Sequence, residues 1–338
     1  MRRHRLFLLF TILTTLLAAC LPINSPVSPS PVATLVPSAS PSRTASPVPS
    51  TTVTLPPATA TSIPTYARRV LILSIDGLRP DAIALAPMPN LIGLMHNGAT
   101  TLVAQTIYPS STLPAHVSML TGLCPAKHGV NWNDYELGRG YASGTDLFDL
   151  AHSAGFQTIM IVGKEKLSQV TEPTSLDIFK FINDRDLVIT NRITEDFPNN
   201  FGVLFIHFPT TDWMGHEYGW LSPEQLSVLR RADEALGFLL AALDTANLRN
   251  GTLIIVTADH GGHNFTHGSS LAEDMTIPWI AAGSGVVATT ITEPVNTTDT
   301  AATAAFALGL PLPPEWDGIP VYEAFGLQSP LRPEPRCP

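Results

Sequence analysis

The residues able to do chemistry are two carboxylate–histidine pairs, Asp212-x-x-x-His216 and Asp259-His260, followed by a further histidine, His267. Each pair comes after a strongly apolar run: Gly202-Val-Leu-Phe-Ile-His-Phe208 before the first, Thr252-Leu-Ile-Ile-Val-Thr257 before the second. A third run, Val70-Leu-Ile-Leu-Ser-Ile75, leads directly into Asp76. Three buried strands that each deliver an acid at the C-terminal end describe a metal-binding cleft. Carboxylate oxygen mixed with imidazole nitrogen suits zinc or a similar divalent ion.

A hydroxyl belongs beside that cleft. Thr112, in Tyr108-Pro-Ser-Ser-Thr-Leu-Pro-Ala-His116, stands two residues before Pro114, at the start of an expected helix. The free N–H groups of a helix N-terminus favour a developing anion. A threonine hydroxyl attacks only when a base or metal lowers its pKa. Alone, this segment is an ordinary helix cap; beside metal ligands it is a candidate nucleophile.

The elements that must position these groups alternate. Strands are expected at 70–75, 101–104, 157–162, 202–208, 252–257 and 277–281. Helical patterns fall at 88–96, 114–120, 145–154, 223–245 and 298–308. In the longest, Leu226, Leu229, Ala232, Leu236, Leu239, Leu240 and Leu243 keep a helical stripe, which reads as core packing. Continuous apolar strands alternating with helices predict an α/β fold with a mostly parallel sheet covered on both faces. Ligands in such sheets sit beyond the carboxyl ends of the strands, where Asp76, Asp212 and Asp259 fall.

The first 65 residues read differently. Residues 1–20 carry Arg2, Arg3 and Arg5, an apolar stretch to Ala19, and a Leu-Ala-Ala-Cys20 ending. That pattern reads as a lipoprotein signal with Cys20 as lipid acceptor, with an ordinary secretory signal or an uncleaved anchor as the alternative; its apolar stretch is short for a membrane span of about 20 residues. Residues 21–65 are rich in Pro, Ser and Thr and read as a disordered linker. The folded domain is 66–338. The expectation is export to the extracytoplasmic face of a bacterial membrane, anchored there through Cys20. A net charge of −9 excludes a nucleic-acid duplex as partner. Cys124 and Cys337 could pair, or Cys124 could be a small buried hydrophobe.

Taken together, Ser74-Ile-Asp-Gly77, the 108–116 segment, Thr121-Gly-Leu-Cys-Pro-Ala-Lys-His-Gly129, Asp212-Trp-Met-Gly-His216, Ala258-Asp-His-Gly-Gly262 and His267-Gly268 resemble the alkaline phosphatase superfamily. The branch they resemble is the type I phosphodiesterase/nucleotide pyrophosphatase family. The pieces run in family order and cover most of the domain. The resemblance implies an alkaline-phosphatase-like three-layer α/β/α sandwich and a pair of Zn2+ ions, although other divalent ions would suit the same donors. One ion would be held by Asp76, Thr112, Asp259 and His260, the other by Asp212, His216 and His267. Thr112 would be the nucleophile, forming a phospho-threonine. Asn133, rather than Asn131, would bind a phosphoryl oxygen.

Among the remaining histidines, His263 rivals His267, His116 and His128 read as hydrogen-bonding supports, and His207 reads as core-lining. The implied substrate is a small phosphorylated molecule, nucleotide-like or a phospholipid head group. Sulfatases of the same fold carry Cys or Ser followed by x-Pro-x-Arg; Thr112-Leu-Pro-Ala-His116 lacks both, which disfavours sulfate esters. Leu113 stands where the family has an aromatic residue, with Trp132, Tyr135, Trp213 and Tyr218 as possible replacements. The alternatives are a phosphomonoesterase or phospholipid head-group hydrolase, or a surface-anchored binding protein without turnover.

Overall fold

The computed structural model describes residues 65–330 and residue 337. The lipoprotein signal and nearly all of the linker expected above lie outside the described residues. Eight strands form one sheet: β1 (Arg69–Ile75), β2 (Ala99–Gln105), β3 (Gln157–Val162), β4 (Ile178–Phe181), β5 (Phe201–Phe208), β6 (Thr252–Thr257), β7 (Thr276–Gly283) and β8 (Thr289–Thr290). Their order is β4-β3-β5-β1-β6-β7-β2-β8. From β4 to β6 the pairing is parallel; β7 runs antiparallel to both of its neighbours.

The three strands read as wholly apolar are the centre of that sheet. β1 lies between β5 and β6, and Ser74 pairs with both His207 and Thr257. Every residue of β5 and β6 is buried. A strand covered on both faces has no solvent side on which to alternate, which is why these runs are continuous.

The helices are α1 (Pro80–Leu85), α2 (Pro89–His96), α3 (Thr112–Thr121), α4 (Pro125–His128), α5 (Leu147–Ser153), α6 (Asp186–Thr194), α7 (Thr210–Tyr218), α8 (Pro223–Thr245), α9 (Ala272–Met275) and α10 (Asp299–Ala307). α8 packs on α2, α6 and α7, whereas α10 packs on α3 and α5, so the sheet is the middle of three layers. α8 starts where its capping residues place it. The Ser222 hydroxyl accepts from the Gln225 N–H and Pro223 opens the first turn. Its Leu stripe is buried as expected, with Leu226 half-buried at the margin.

Sequence periodicity misses β4, α6 and α7. β4 is four residues long at the sheet edge, too short for a pattern. α7 opens on two β-branched threonines and contains Gly215, all weak helix formers. Its packing on α8 supplies what local propensity does not.

Cys124 and Cys337 form a disulfide across 213 residues of sequence. Closing so long a loop restricts the unfolded chain and stabilises the native one by about 2–4 kcal/mol. Cys337→Ser should therefore lower unfolding free energy by about that amount in urea titrations without reductant, and the gap from wild type should close when reductant is added.

Candidate metal and phosphoryl site

β1, β5 and β6 deliver their acids to one place. Asp76 follows β1 directly, Asp259 lies two residues beyond β6, and Asp212 is in the first turn of α7, four residues beyond β5. All three are buried. On α7, Asp212 and His216 are four residues apart and so share a face, with His216 Nε2 3.4 Å from Asp212 Oδ1. Asp259 is aimed by its surroundings: its Oδ1 accepts from the N–H groups of Gly77 and His260. Gly77 needs its positive φ of 74° for this turn, which glycine adopts without penalty.

The three sequence-selected histidines are held alike. Nδ1–H donates to a backbone carbonyl in each case: His216 to Phe265 at 2.9 Å, His260 to Gly261 at 2.8 Å, His267 to Ser110 at 2.9 Å. A neutral imidazole that donates from Nδ1 has a bare lone pair on Nε2. Those Nε2 atoms face carboxylate oxygens. His260 Nε2 is 3.4 Å from Asp76 Oδ1 and 3.3 Å from Asp259 Oδ2, and His267 Nε2 is 3.5 Å from Asp212 Oδ1. Asp76 Oδ1, Asp259 Oδ2 and Asp212 Oδ1 are buried and have no hydrogen-bond partner.

In their unprotonated forms these groups set lone pair against lone pair at each of these contacts. Such an arrangement is costly unless a cation sits among the atoms. Asp76, Asp259 and His260 offer ligand atoms within 4.8 Å of one another, and so do Asp212, His260 and His267. The donor set, three carboxylates and three imidazoles, fits divalent ions of the zinc type.

Thr112 opens α3 at the edge of this cluster, fully buried. Its Oγ1 is 3.4 Å from His260 Nε2. The Leu113 N–H donates to Asn133 Oδ1 at 2.9 Å, which leaves the amide's donor end for another partner. Asn131, by contrast, accepts from Arg139 at the surface. His263 is not part of the cluster: its Nδ1 bonds Asp274, whose other oxygen accepts from Ser269, which fixes the loop after His267.

His116 bridges the Thr112 carbonyl and the Ser74 hydroxyl, and His128 bonds Ser118 and the Val130 N–H, both as supports. His207 corrects the expectation of a core-lining residue. It accepts from the Gly163 N–H at Nδ1 and so donates from Nε2 to Asp76 Oδ2 at 2.9 Å. The side chain of a strand residue one position before the C-terminal end points along the same face as the acids.

Lys164, which sequence patterns did not single out, enters from the end of β3. Its Nζ is 2.7 Å from Asp76 Oδ2, 2.5 Å from Asp212 Oδ2 and 3.3 Å from Thr112 Oγ1. Burial raises the Asp76 carboxyl, but the Lys164 ammonium and the His207 hydrogen bond hold it well below the usual range. Asp212 is likewise held down by Lys164 against burial and the Asp76 charge. Burial and the neighbouring Asp76 push Asp259 well above its usual value. Burial, then the nearby His260, takes His267 down to about 3, so its ring is neutral near pH 7.

Trp220 is the other residue that sequence reading missed. Its indole donates to the Gly77 carbonyl at 3.0 Å and lies edge-on to His216 and His267. Gly77, Gly215 and Gly262 all abut it: a Cβ on Gly262 would sit 2.1 Å from its ring, one on Gly215 2.8 Å, and one on Gly77 3.3 Å. Each of these glycines is within two residues of a proposed ligand. Gly262→Ala should cost about 1–3 kcal/mol by overpacking. It should also lower the zinc retained after dialysis, measured by elemental analysis of the folded variant.

The family model described as type I phosphodiesterase/nucleotide pyrophosphatase matches residues 70–146 and 162–280. A venom phosphodiesterase from Crotalus durissus collilineatus is 30% identical over 220 residues, covering 57% of this chain and 26% of its own length. The chain thus spans about a quarter of that relative. Among solved structures, an inactive threonine-to-alanine variant of murine ectonucleotide pyrophosphatase/phosphodiesterase 5 in complex with AMP is similar at TM-score 0.61 and 18% identity. It matches 73% of this chain and 96% of its own. Alkaline phosphatase PafA is similar at TM-score 0.63 and 13% identity, matching 79% of this chain and 100% of its own, and shares the fold.

Proposed function

Because this chain belongs to the type I phosphodiesterase/nucleotide pyrophosphatase family, we propose that it is a metal-dependent hydrolase of phosphoric ester or anhydride bonds that uses Thr112 as nucleophile. The observation that carries this is the set of unpartnered carboxylate oxygens facing bare imidazole nitrogens, with the Thr112 hydroxyl at its edge. Asp76, Asp259, His260 and Thr112 would hold one divalent ion, and Asp212, His216 and His267 a second, zinc being the best match to the donors. Bound there, the ions would supply Lewis acidity toward the Thr112 oxygen, the phosphoryl group and the leaving oxygen.

The chain's own residues do the rest. Thr112 Oγ1 would give up its proton to solvent and form the bond to phosphorus as the ester oxygen leaves and takes up a proton, giving phospho-Thr112; water would then break that bond, its hydroxyl going to phosphorus and a proton returning to Thr112 Oγ1. Asn133 donates to a non-bridging oxygen from the amide end that Leu113 leaves available. The backbone N–H groups at the start of α3 add positive field at the same oxygens. The substrate is a small phosphorylated molecule, nucleotide-like or a lipid head group. The disulfide is in keeping with an exported protein, anchored through Cys20.

Lys164 favours a second reading, a phosphomonoesterase. A monoester presents three non-bridging oxygens sharing two charges, one more than a diester offers. A buried ammonium 3.3 Å from Thr112 Oγ1 would meet that extra oxygen. A binding protein without turnover fits less well, since all seven proposed ligands are present.

Thr112→Ala should reduce hydrolysis of bis-(p-nitrophenyl) phosphate by roughly 10³-fold or more in protein that still carries zinc, which Asp76, Asp259 and His260 would hold without the hydroxyl. Near-normal turnover would remove Thr112 from its role. Chelation should abolish activity and added zinc restore it. Lys164→Met should lower turnover of p-nitrophenyl phosphate at least about tenfold more than that of the diester, one charge-assisted bond being worth about 1.5–3 kcal/mol. An equal loss on both would leave the diesterase reading alone.

A further inference from the structure

α7 carries Asp212 and His216, yet little in its own sequence says where it should start. Its N-cap is Pro209, which has no side-chain oxygen to accept from the first turn. Two threonines and Gly215 give it weak helix propensity. α6 has the same lack, since Arg185 at its N-cap makes no side-chain capping bond. The first few backbone N–H groups of a helix have no intrahelical acceptor and need one from elsewhere.

The two helices meet this need for each other. Asp186, the first residue of α6, turns its carboxylate to Thr210, the first residue of α7. Its Oδ1 accepts from the Thr210 N–H at 3.1 Å and from the Thr210 hydroxyl at 2.6 Å. Thr210 Oγ1 accepts in turn from the Asp186 N–H at 3.1 Å. Each residue thus caps the other's helix across 24 positions of sequence, and all three bonds are buried. A carboxylate also suits the positive end of α7.

This is an unfavourable place for a charge. Asp186 is 2% exposed, and among the described residues no cation forms an ion pair with it. Arg185 and Arg231 border the cavity beside it but do not bond it. Burial pushes the carboxyl up to about 6 against the pull of the Thr210 hydrogen bonds. A buried acid without a counter-charge is a poor source of stability; what it can supply is a defined geometry.

That geometry leads straight to the metal ligands. Asp212 is two residues beyond Thr210 and His216 six, on the same helix. A slip of one residue would turn α7 by about 100° and shift it by about 1.5 Å. The contact of Asp212 Oδ1 with His267 Nε2, at 3.5 Å, would not survive it.

We propose that Asp186 is a positioning residue: by capping α7 from α6 it sets where Asp212 and His216 stand, and so the ion that they and His267 would hold. The part concerning the ion rests on the metal-dependent hydrolase reading above; the hold on α7 does not. Asp76 and Asp259 emerge from β1 and β6, which this pair of caps does not touch.

Two measurements keep these parts separate. In metal-free protein, Asp186→Ala should speed amide exchange at residues 210–216 about tenfold, as for one lost helix cap, and leave β1 and β6 within about twofold. In the full chain titrated with Zn2+ against a chelator, the same variant should weaken one ion about tenfold and the other by no more than about twofold. Asp186→Asn keeps an oxygen for Thr210 and should behave as wild type in both assays. Thr210→Val loses the hydroxyl and should follow Asp186→Ala, and it carries the comparison if the alanine variant does not fold. Unchanged exchange at 210–216, or faster exchange throughout the sheet, would overturn the positioning role. Equal weakening of both ions, or of neither, would overturn the link to one ion. A wild type that takes up no Zn2+ would sink the metal reading itself, and amide exchange would still decide whether Asp186 holds α7.

Discussion

Electron-rich atoms crowded together in the interior are the constraint on which the rest of this chain depends. Three carboxylates and three imidazoles are brought within a few ångströms, and each histidine has its one proton committed to a carbonyl on the far side. A protein interior penalises such a cluster heavily unless positive charge balances it. The rest of the architecture can be understood as the apparatus that makes this arrangement obligatory. Adjacent parallel strands fix where the acids emerge, backbone carbonyls fix the imidazole tautomers, and the Gly77 and His260 N–H groups fix the Asp259 carboxylate. Lys164 supplies one unit of positive charge from the chain itself.

Much of this was legible in the residues. The apolar runs at 70–75, 202–208 and 252–257 identified the central strands because strands buried on both faces cannot alternate. The acids at their ends followed, and the ordered motifs carried the family and the fold. The long amphipathic helix was readable through its stripe and its Ser-Pro start.

Most of what was not legible depends on side chains meeting across large sequence separations. Lys164 reaches Asp212 from 48 residues away, and nothing in Gly163-Lys-Glu-Lys166 marks it as internal. His207 looked like a strand histidine on a core face, since one cannot know from a single strand which neighbour's acid it will face; it belongs to Asp76, 131 residues earlier. α7 hid for a different reason. Its residues were chosen for ligand placement and close packing, and Thr-Thr and Gly weaken the local helical signal. The cysteine pair stayed open because spacing alone does not bring 124 near 337.

Trp220 and its three glycines have a consequence for how such a site can drift over generations. A large flat ring fills the volume that side chains at 77, 215 and 262 would otherwise claim, and it borders two of the imidazoles. None of the four positions is therefore free to vary by itself. A bulkier residue at a glycine needs a smaller one at 220, and a smaller one at 220 leaves His216 and His267 without their backing. Lineages that carry this geometry should exchange the four together or not at all.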